Sequence, residues 1–594
     1  MAATGPGSFG VFRVPTRLAA RLLPRRHWLI GAALLVLGCH AVQGHRARGL
    51  AFVRDRTERL VAIHRRIDRS TDCDSAAHEL LAAAEEAYRE ARRRDGLLPA
   101  PALPLYREAA VGAARALAVA PDDPEFIDSA TDLHNRAVER LIRLAQDRRV
   151  RGRRCWQDVF PEIGVRLEGV SDFLAPNRYE ELVSTRDIRA RGLREWYDNP
   201  GLGVTLVANR ENERVAPADP RDRLYPGRVR AATTAVLHVE DDGPVLILHD
   251  PFEESIVAFG ERGLRLATDR STPFAVQLAW SNLKKAARSH PFRPERYREE
   301  SGVNLIRPYQ PGRIPVVFVH GLNSSPAHWK DTVNELSNDP LLKQRFQFWL
   351  YLYPTGAPIP ASAARLRRDL REALAILDPG GQDPALGDMV LVGHSIGGVI
   401  SKMATQDSGT ALWDSVFTRQ PDELQLSPDA RRALVDALFF QPEPYVRRLI
   451  FVCTPHYGAP ITYRCLAQLY SLLSREVDEL NHAMAEAIRK NGRGVLAAGV
   501  EVRRFYGVGG LRPTNPILEA ESALPIDPSV SYHSIIPQLG IGPWLLQTDG
   551  VVPYWSSHID GALSELIFRG FHTTQDEPPS TAEIRRILLE HLGD

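Results

Sequence analysis

Cysteine is scarce in this chain, which has five in 594 residues. Cys39 lies near the N-terminus, and the other four show no C-x-x-C spacing: Cys73, Cys155, Cys453 and Cys465. Zinc sites and dense disulfide frameworks need clustered cysteines, so the sequence excludes both. No acidic cluster has the spacing of a calcium loop. We therefore expect no metal and no cofactor, and we expect Cys453, in an apolar run, to be a buried, unbonded thiol.

The chain also lacks an excess of charge of either sign. Its 74 basic and 73 acidic residues are interspersed, and the formal net charge is +1. Binding to a polyanion requires clustered basic residues, so the sequence excludes a nucleic-acid partner. A length of 594 residues with 44% hydrophobic residues predicts two to four globular domains.

Long apolar runs are missing too, since none reaches the ~20 residues of a membrane-spanning helix. A short run, Trp28–Leu37, follows four arginines, an order typical of an export signal: Arg17, Arg21, Arg25 and Arg26. Val36-Leu37-Gly38-Cys39 resembles the lipobox of bacterial lipoproteins, in which the cysteine is acylated. We expect residues 1–38 to be a signal peptide and Cys39 to anchor the exported protein to a membrane of the bacterial cell envelope. The alternatives are an uncleaved signal anchor and a chance apolar patch.

Residues 39–150 are predicted to form a helical domain. Apolar residues recur there at spacings of three or four, and breaks at 71–74, 97–104 and 121–124 divide the segment into about four helices. We expect a spacer or a docking module for a protein partner. A specific peptide-binding array is the less favoured alternative.

Residues 151–300 are predicted to form a β-rich region with a connecting helix. Short β-branched runs separated by turn residues indicate a β-meander: Thr233–Val239, Val245–His249, Ser255–Phe259 and Leu264–Ala267. The Pro-, Arg- and Asp-rich segment 199–228 predicts a surface loop, 273–289 a helix, and 291–311 a connector. His238 and His249 are interpreted as packed or surface side chains, not as ligands.

Residues 301–594 alternate between apolar strands and helical segments such as Ala361–Leu377. The predicted strands are Val316–Val319, Phe348–Tyr351, Val390–Val392, Leu449–Val452, Val502–Tyr506 and Leu566–Phe568. Near-continuous apolar strands separated by helices indicate a mostly parallel sheet with helices on both faces, the α/β class.

The segment Met389–Ile400, MVLVGHSIGGVI, has the pattern of a strand, a tight turn and a helix. Gly393 and Gly397 flank Ser395 at the G-x-S-x-G spacing, which places a serine hydroxyl at the apex of a strained turn. The helix that follows directs backbone N–H groups and its positive dipole end to the same place. Ser395 is therefore the candidate nucleophile.

Four segments of residues 301–594 together resemble the α/β-hydrolase superfamily, in particular bacterial lipases and esterases and the hydrolases of the GPI inositol-deacylase type. They are Val319-His320-Gly321-Leu322, GHSIGG, Thr454-Pro455-His456-Tyr457-Gly458 and Asp549-Gly550-Val551-Val552-Pro553. The resemblance implies a catalytic order of serine, acid and histidine. It also implies an oxyanion hole made by the backbone N–H groups of Leu322 and Ile396.

Several residues compete for the other two catalytic positions. Asp549 fits the acid best, because its D-G-V-V-P context matches the family's acid loop, and its rivals are Asp560 and Asp576. His572 follows the last predicted strand and is the favoured base, and His558 is its rival. Three further histidines are set aside, two because they precede the acid and one as a surface residue of the last helix: His456, His533 and His591.

An insertion, residues 405–446, carries Trp413, Phe417, Phe439 and Phe440 where a minimal fold would pass to the next strand. These aromatics form either a lid over the serine or the packing of the insertion onto the domain. Taken together, the sequence predicts a serine hydrolase that cleaves lipophilic esters. An acyltransferase, an amidase and a non-catalytic scaffold lipoprotein are the alternatives.

Overall fold

The computed structural model describes residues 73–96, 99–280, 301–322, 324–460, 479–500, 510–540 and 547–593. All of them belong to the compact unit Ile63–Asp594. The predicted signal peptide, Cys39 and the predicted strand Val502–Tyr506 lie outside the described residues. Among the described helices, none combines the length and the apolar character that crossing a membrane would require.

The described chain begins with packed helices: α1 (Cys73–Asp95), α2 (Pro99–Ala118), α3 (Pro124–Gln146), α4 (Arg148–Arg151) and α5 (Val159–Glu162). The predicted break at 97–104 is too long, because α2 already begins at Pro99. Proline is tolerated in the first turn, where its missing N–H has no partner to lose. The break at 121–124 is confirmed: the Asp123 side chain caps α3 by accepting from the Glu125 N–H at 3.0 Å.

The β-rich region contains nine strands and then helix α6 (Ser271–Trp280). The strands are β1 (Arg166–Gly169), β2 (Glu181–Ser184), β3 (Asp198–Asn199), β4 (Val204–Glu211), β5 (Arg228–Glu240), β6 (Gly243–His249), β7 (Ile256–Phe259), β8 (Arg262–Arg265) and β9 (Thr268–Asp269). Five of them form one sheet in the order β1-β6-β5-β4-β2, and β7 and β8 form a separate hairpin. All four predicted runs overlap strands, but they do not form one meander, because β5 and β6 belong to the larger sheet and β7 and β8 pair only with each other.

The prediction of a surface loop at 199–228 is wrong in part, because β4 lies within it. Val204, Leu206 and Ala208 are buried, and β4 pairs antiparallel with both β2 and β5. The proline and charged residues that follow the strand dominate the composition of the segment and conceal its alternating apolar positions.

The third part of the chain is built on a seven-stranded sheet. Its strands are β10 (Gly302–Leu305), β11 (Ile314–Val319), β12 (Phe346–Leu352), β13 (Met389–His394), β14 (Val446–Val452), β15 (Ser531–Gln538) and β16 (Ser564–Arg569). Their order is β10-β12-β11-β13-β14-β15-β16, with parallel pairing except between β10 and β12. The prediction of a mostly parallel sheet is confirmed. It missed β10, within the expected connector, and β15.

Helices cover both faces of this sheet. They are α7 (Lys330–Asn338), α8 (Leu342–Arg345), α9 (Ile359–Leu377), α10 (Ile396–Lys402), α11 (Ala411–Asp414), α12 (Pro428–Leu438), α13 (Glu479–Asn491), α14 (Pro516–Ser522), α15 (Tyr554–Ser557) and α16 (Pro578–His591). Strand β11 shows the two-residue period: Val317 and Val319 join the core cluster on one face, and Val316 and Phe318 the cluster on the other. A strand buried on both faces must be apolar throughout, which explains the run IPVVFV.

The aromatic residues of insertion 405–446 pack into the core. Trp413 is fully buried, its ring stacks on Phe417 at 4.5 Å and on Phe439 at 5.4 Å, and its Nε1–H donates to the Arg419 carbonyl at 2.8 Å. Phe417 and Phe440 are buried in the same cluster. Of the two alternatives, the structure therefore favours packing of the insertion onto the domain over a lid.

Candidate active site

Ser395 occupies the turn between β13 and α10 in a strained backbone conformation. Its φ of 54° lies in the left-handed region, which costs a residue with a side chain about 1–3 kcal/mol. The flanking glycines are required by close approach. A Cβ on Gly393 would lie 2.5 Å from the Gly398 Cα, and a Cβ on Gly397 would lie 2.5 Å from the Val319 carbonyl oxygen. The G-x-S-x-G segment therefore forms the predicted strained turn between strand and helix, which we call the elbow.

The structure brings together the three residues predicted as nucleophile, base and acid. His572 lies in the loop after β16, with its Nε2 3.0 Å from the Ser395 Oγ and its Nδ1 2.7 Å from the Asp549 Oδ2. Ser395 and Asp549 are buried, and 16% of the His572 side chain is exposed. The hydroxyl, imidazole and carboxylate form a continuous hydrogen-bonded chain of the kind that activates a serine. Their catalytic roles stay a prediction.

The D-G-V-V-P segment holds the Asp549 carboxylate in position. The Asp549 Oδ1 accepts from the N–H groups of Val551 at 2.8 Å and Val552 at 2.7 Å, which leaves Oδ2 to face His572. The backbone of His572 also donates to the Asp549 carbonyl at 3.0 Å. A carboxylate is an acceptor at both oxygens, so this arrangement suits its ionised form.

Cys453, directly after β14, is a further contact of Asp549 that the sequence interpretation missed. The thiol is buried, unbonded to another cysteine and close enough to the Asp549 carboxylate to feel its charge. Burial, and then the negative charge of Asp549, raise the pKa of Cys453 well above its usual value. The thiol is therefore neutral and can donate to the carboxylate. A φ of 53° at Cys453 shows that the turn after β14 is strained as well.

His394, directly before the nucleophile, connects the elbow to the loop of the base. Its Nε2 lies 2.7 Å from the carbonyl oxygen of His572. Burial, and then the proximity of His572, lower the pKa of His394 well below its usual value, so the ring is neutral and its Nε2–H donates. The sequence analysis did not predict this contact. The only sequence signal for it is that His394 directly precedes Ser395.

The predicted oxyanion donors lie on either side of the elbow. Ile396 is the first residue of α10, where a backbone N–H has no acceptor within the helix. Leu322 follows Gly321, at which a Cβ would lie 2.7 Å from the His394 Nδ1 and 3.0 Å from the Ser395 Cβ. The loop after β11 therefore runs directly against the elbow. The structure is compatible with both donors, whose role stays a prediction.

The rival residues are engaged elsewhere. The His558 Nδ1 lies 2.7 Å from the Glu565 Oε2, and its Nε2 lies 3.3 Å from Asp560, which is almost fully exposed. Asp576 accepts from the N–H groups of Asp331 and Thr332 at the start of α7, each at 2.8 Å. Burial raises the pKa of Asp576 to about 7. The rivals therefore take no part in the chain of contacts from Ser395.

The histidines set aside earlier are all buried. The interpretation of His591 as a surface residue is wrong, because its Nδ1 accepts from Arg448 at 3.0 Å. The Arg448 guanidinium also contacts the His533 Nε2 at 2.6 Å. His456 packs its ring edge-on against Phe451 at 4.6 Å. None of these contacts reaches Ser395.

His394, Cys453 and His572 are close enough to hold a metal ion, with possible ligand atoms within 4.8 Å of one another. Most of their polar atoms have other partners, however. One ring nitrogen of His572 contacts the serine and the other contacts the acid, the His394 Nε2 bonds to the His572 carbonyl, and the Cys453 thiol lies beside Asp549. We therefore assign hydrogen-bonding roles to all three.

A family model and several solved structures are similar to part of this chain. Residues 316–555 match the model of a family described as "Alpha/beta hydrolase family". Among solved structures, Bacillus licheniformis lipase BlEst2 in mature form is 20% identical, covering 48% of this chain and 95% of that one, with a TM-score of 0.27. The metagenomic carboxyl esterase MGS0156 is 18% identical, covering 48% and 79%, with a TM-score of 0.23. A hydrolase from Pseudomonas aeruginosa PA01 is 14% identical, covering 49% and 94%, with a TM-score of 0.24.

No curated protein matches this sequence. At such low TM-scores the likeness to solved structures carries no argument about activity. The likeness to hydrolases of the GPI inositol-deacylase type stays a prediction. The family match, the parallel sheet and the elbow after β13 agree with one another, and they identify residues 316–555 as an α/β-hydrolase fold.

Proposed function

We propose that this protein is a serine hydrolase that cleaves carboxylic esters through an acyl-enzyme. The observation that carries the proposal is the chain of hydrogen bonds from Ser395 through His572 to Asp549, built on a strained elbow. A serine hydroxyl is a weak nucleophile unless an adjacent base accepts its proton. His572 has the geometry of that base.

The reaction follows from this arrangement. The Ser395 Oγ attacks the ester carbonyl while its proton moves to the His572 Nε2. Asp549 holds the Nδ1–H and stabilises the imidazolium that forms. The oxyanion accepts from the N–H groups of Ile396 and Leu322. His572 then protonates the departing alkoxide, and a water molecule, activated by the same base, releases the carboxylic acid.

The proposed substrate is a lipophilic ester. The aromatic residues of insertion 405–446 do not support this choice, because they pack in the core. The support comes from the apolar side chain of Phe571, directly before His572, which is 69% exposed. Exposed apolar side chains beside a catalytic serine favour an apolar acyl or alcohol group.

The experiment combines a covalent probe with a substrate series. A fluorophosphonate should label the wild-type protein and not Ser395→Ala, and Ser395→Ala should lose at least ~10³-fold in ester hydrolysis. Ser522→Ala is the matched control, because the Ser522 hydroxyl donates to the Glu519 carbonyl of its own helix and, among the described residues, has no contact with the catalytic residues. A rate that rises with acyl length supports the lipophilic ester. Cleavage of amides alone, or persistent labelling of Ser395→Ala, contradicts the proposal.

We also propose that Cys39 is acylated and anchors the protein to a membrane of the bacterial cell envelope. The support is the order of the arginines, the apolar run and the lipobox-like residues in the sequence. A radiolabelled fatty acid fed to expressing cells should label the wild-type protein and not Cys39→Ala. Equal labelling of the two would contradict the anchor, with no bearing on the hydrolase.

A further inference from the structure

A cleft lies between the β-rich region and the α/β-hydrolase fold. The residues that line it do not include Ser395, Asp549 or His572. Its walls come from the start of β5, from α6, from the segment after β10 and from the C-terminal half of α7. Several apolar side chains line it, among them Val229, Phe274 and Leu305. The cleft therefore combines apolar walls with the side chains of arginines and of Ser337.

Three arginines line this cleft: Arg230, Arg270 and Arg307. The guanidinium groups of Arg270 and Arg307 lie over the same ring, that of Phe252, at 5.7 Å and 4.0 Å from its centroid. Arg230 is buried, and its desolvation, together with the neighbouring Arg228, lowers its pKa to about 10. Desolvation, followed by the charge of Arg307, lowers the pKa of Arg270 as well.

The acidic residues nearby lie close to Arg307, and none of them contacts Arg270. Glu253 is bound by both Arg307 and Arg313, each at 2.5 Å. Asp250 lines the cleft 4.0 Å from Arg307, and its pKa is raised by burial, which favours its neutral form. Within the described part of the chain, no carboxylate oxygen lies within 4.0 Å of an Arg270 nitrogen, whose Nε donates to the Pro251 carbonyl at 2.7 Å. Among the described residues, Arg270 is therefore a cation of the cleft wall that no carboxylate contacts.

Two buried hydrogen-bond donors on the walls have no partner among the described residues. They are the hydroxyl of Ser337, which is 5% exposed, and the Nε of Arg307. Buried donors are nearly always satisfied, because an unmade hydrogen bond costs about 1–3 kcal/mol. An acceptor bound in the cleft would satisfy the Ser337 hydroxyl and would lie on the wall that Arg270 also lines.

The size of the cleft limits the ligand. Its space is about 50 Å³, room for roughly three to five water molecules at ~10–15 Å³ each. A carboxylate with a short hydrocarbon chain has that size, and its hydrocarbon part can contact Val229 and Leu305.

We propose that this cleft binds a short-chain carboxylate. Its carboxylate group contacts Arg270 and the Ser337 hydroxyl, and its hydrocarbon part lies against the apolar wall. The site is separate from Ser395 and does not depend on the proposed hydrolase activity.

The test measures butyrate binding to the full-length protein by titration calorimetry. The wild-type protein should bind one butyrate, and Arg270→Gln should bind at least about tenfold more weakly, because a charge-assisted hydrogen bond is lost. Arg265→Gln is the matched control, since Arg265 is exposed on the neighbouring strand β8 and does not line the cleft. It should bind as the wild type does.

Two further variants keep the test decisive if Arg270→Gln fails to fold. Arg270→Lys keeps the charge and should retain most of the affinity, and Ser337→Val removes the hydroxyl donor and should weaken binding. Absence of saturable butyrate binding overturns the proposal. Equal affinity in the wild type, Arg270→Gln and Ser337→Val also overturns it, because butyrate would then bind elsewhere. Tighter binding of inorganic phosphate than of butyrate overturns the assignment to a carboxylate.

Discussion

His394 donates from its Nε2 to the carbonyl oxygen of His572 at 2.7 Å, so the residue before the candidate nucleophile holds the loop of the candidate base. The contact joins positions 178 residues apart. Because both ends belong to the same site, the distance between the Ser395 hydroxyl and the His572 ring depends on His394 as well as on Asp549.

Replacement of His394 by alanine should lower kcat for ester hydrolysis by up to about tenfold, the cost of losing one hydrogen bond that positions the base. KM should change little, because His394 is buried behind the reacting groups. His394→Asn keeps a short side-chain donor and should recover part of the rate. Steady-state kinetics together with Tm measures both variants, and an unchanged kcat in folded His394→Ala would contradict the positioning role.

His572→Ala should lose nearly as much activity as Ser395→Ala, roughly 10³-fold or more, because members of a triad act as a unit. For the same reason the double variant should be hardly slower than either single variant. His558→Ala is the matched control, since His558 is bound to Glu565 and not to Asp549. An inactive His558→Ala beside an active His572→Ala would reverse the assignment.

Asp576→Asn should make the protein more stable at neutral pH. Burial raises the pKa of Asp576 to about 7, above its unfolded value, so its favourable contribution is complete below about pH 4. That contribution is lost as the pH rises towards 7, where the folded carboxyl ionises. Asparagine keeps an oxygen for the N–H groups of Asp331 and Thr332 and cannot ionise.

The Tm of Asp576→Asn should therefore exceed that of the wild type by an amount that grows from pH 5 to pH 7 and then becomes constant. Thermal melts across pH 5–8 measure this difference. A difference that is constant over the whole range, or that shrinks as the pH rises, would show that Asp576 is charged in the folded protein.

Cys453 should resist alkylation in the native protein, because its thiol is buried and its pKa is raised by burial and by Asp549. Peptide mass spectrometry after iodoacetamide treatment should find the exposed Cys155 modified and Cys453 unmodified until the protein is denatured. In addition, Cys453→Ala should lower kcat several-fold by removing a donor to the acid, and Cys453→Ser should restore part of it. Rapid native labelling of Cys453 would contradict the buried contact.

The elbow and the parallel sheet could be predicted from sequence because both have local causes. Gly393, Ser395 and Gly397 follow from the geometry of one turn, and strands buried on both faces are apolar throughout. Strand β15 escaped prediction because its first half, Ser531 to Ser534, is polar although all four of these residues pair with β14.

Contacts between distant residues that belong to no motif could not be predicted. His591 has the pattern of a surface residue at the end of an amphipathic helix, but its partner Arg448 lies 143 positions earlier in the chain. The aromatics of the insertion were ambiguous for a different reason: a lid and a packed core require the same apolar residues, and only the buried position of Trp413 separates the two. The sequence likewise does not show that Cys453 lies beside Asp549, because the two residues are 96 positions apart.

The left-handed backbone conformation of Ser395 lowers the stability of the fold at the same residue that supplies the candidate nucleophile. Glycine adopts a φ of 54° without penalty, so glycine would relieve a strain that serine maintains in every folded molecule. Selection for a robust fold alone would therefore replace Ser395 by glycine, and only a requirement for the hydroxyl group opposes that replacement.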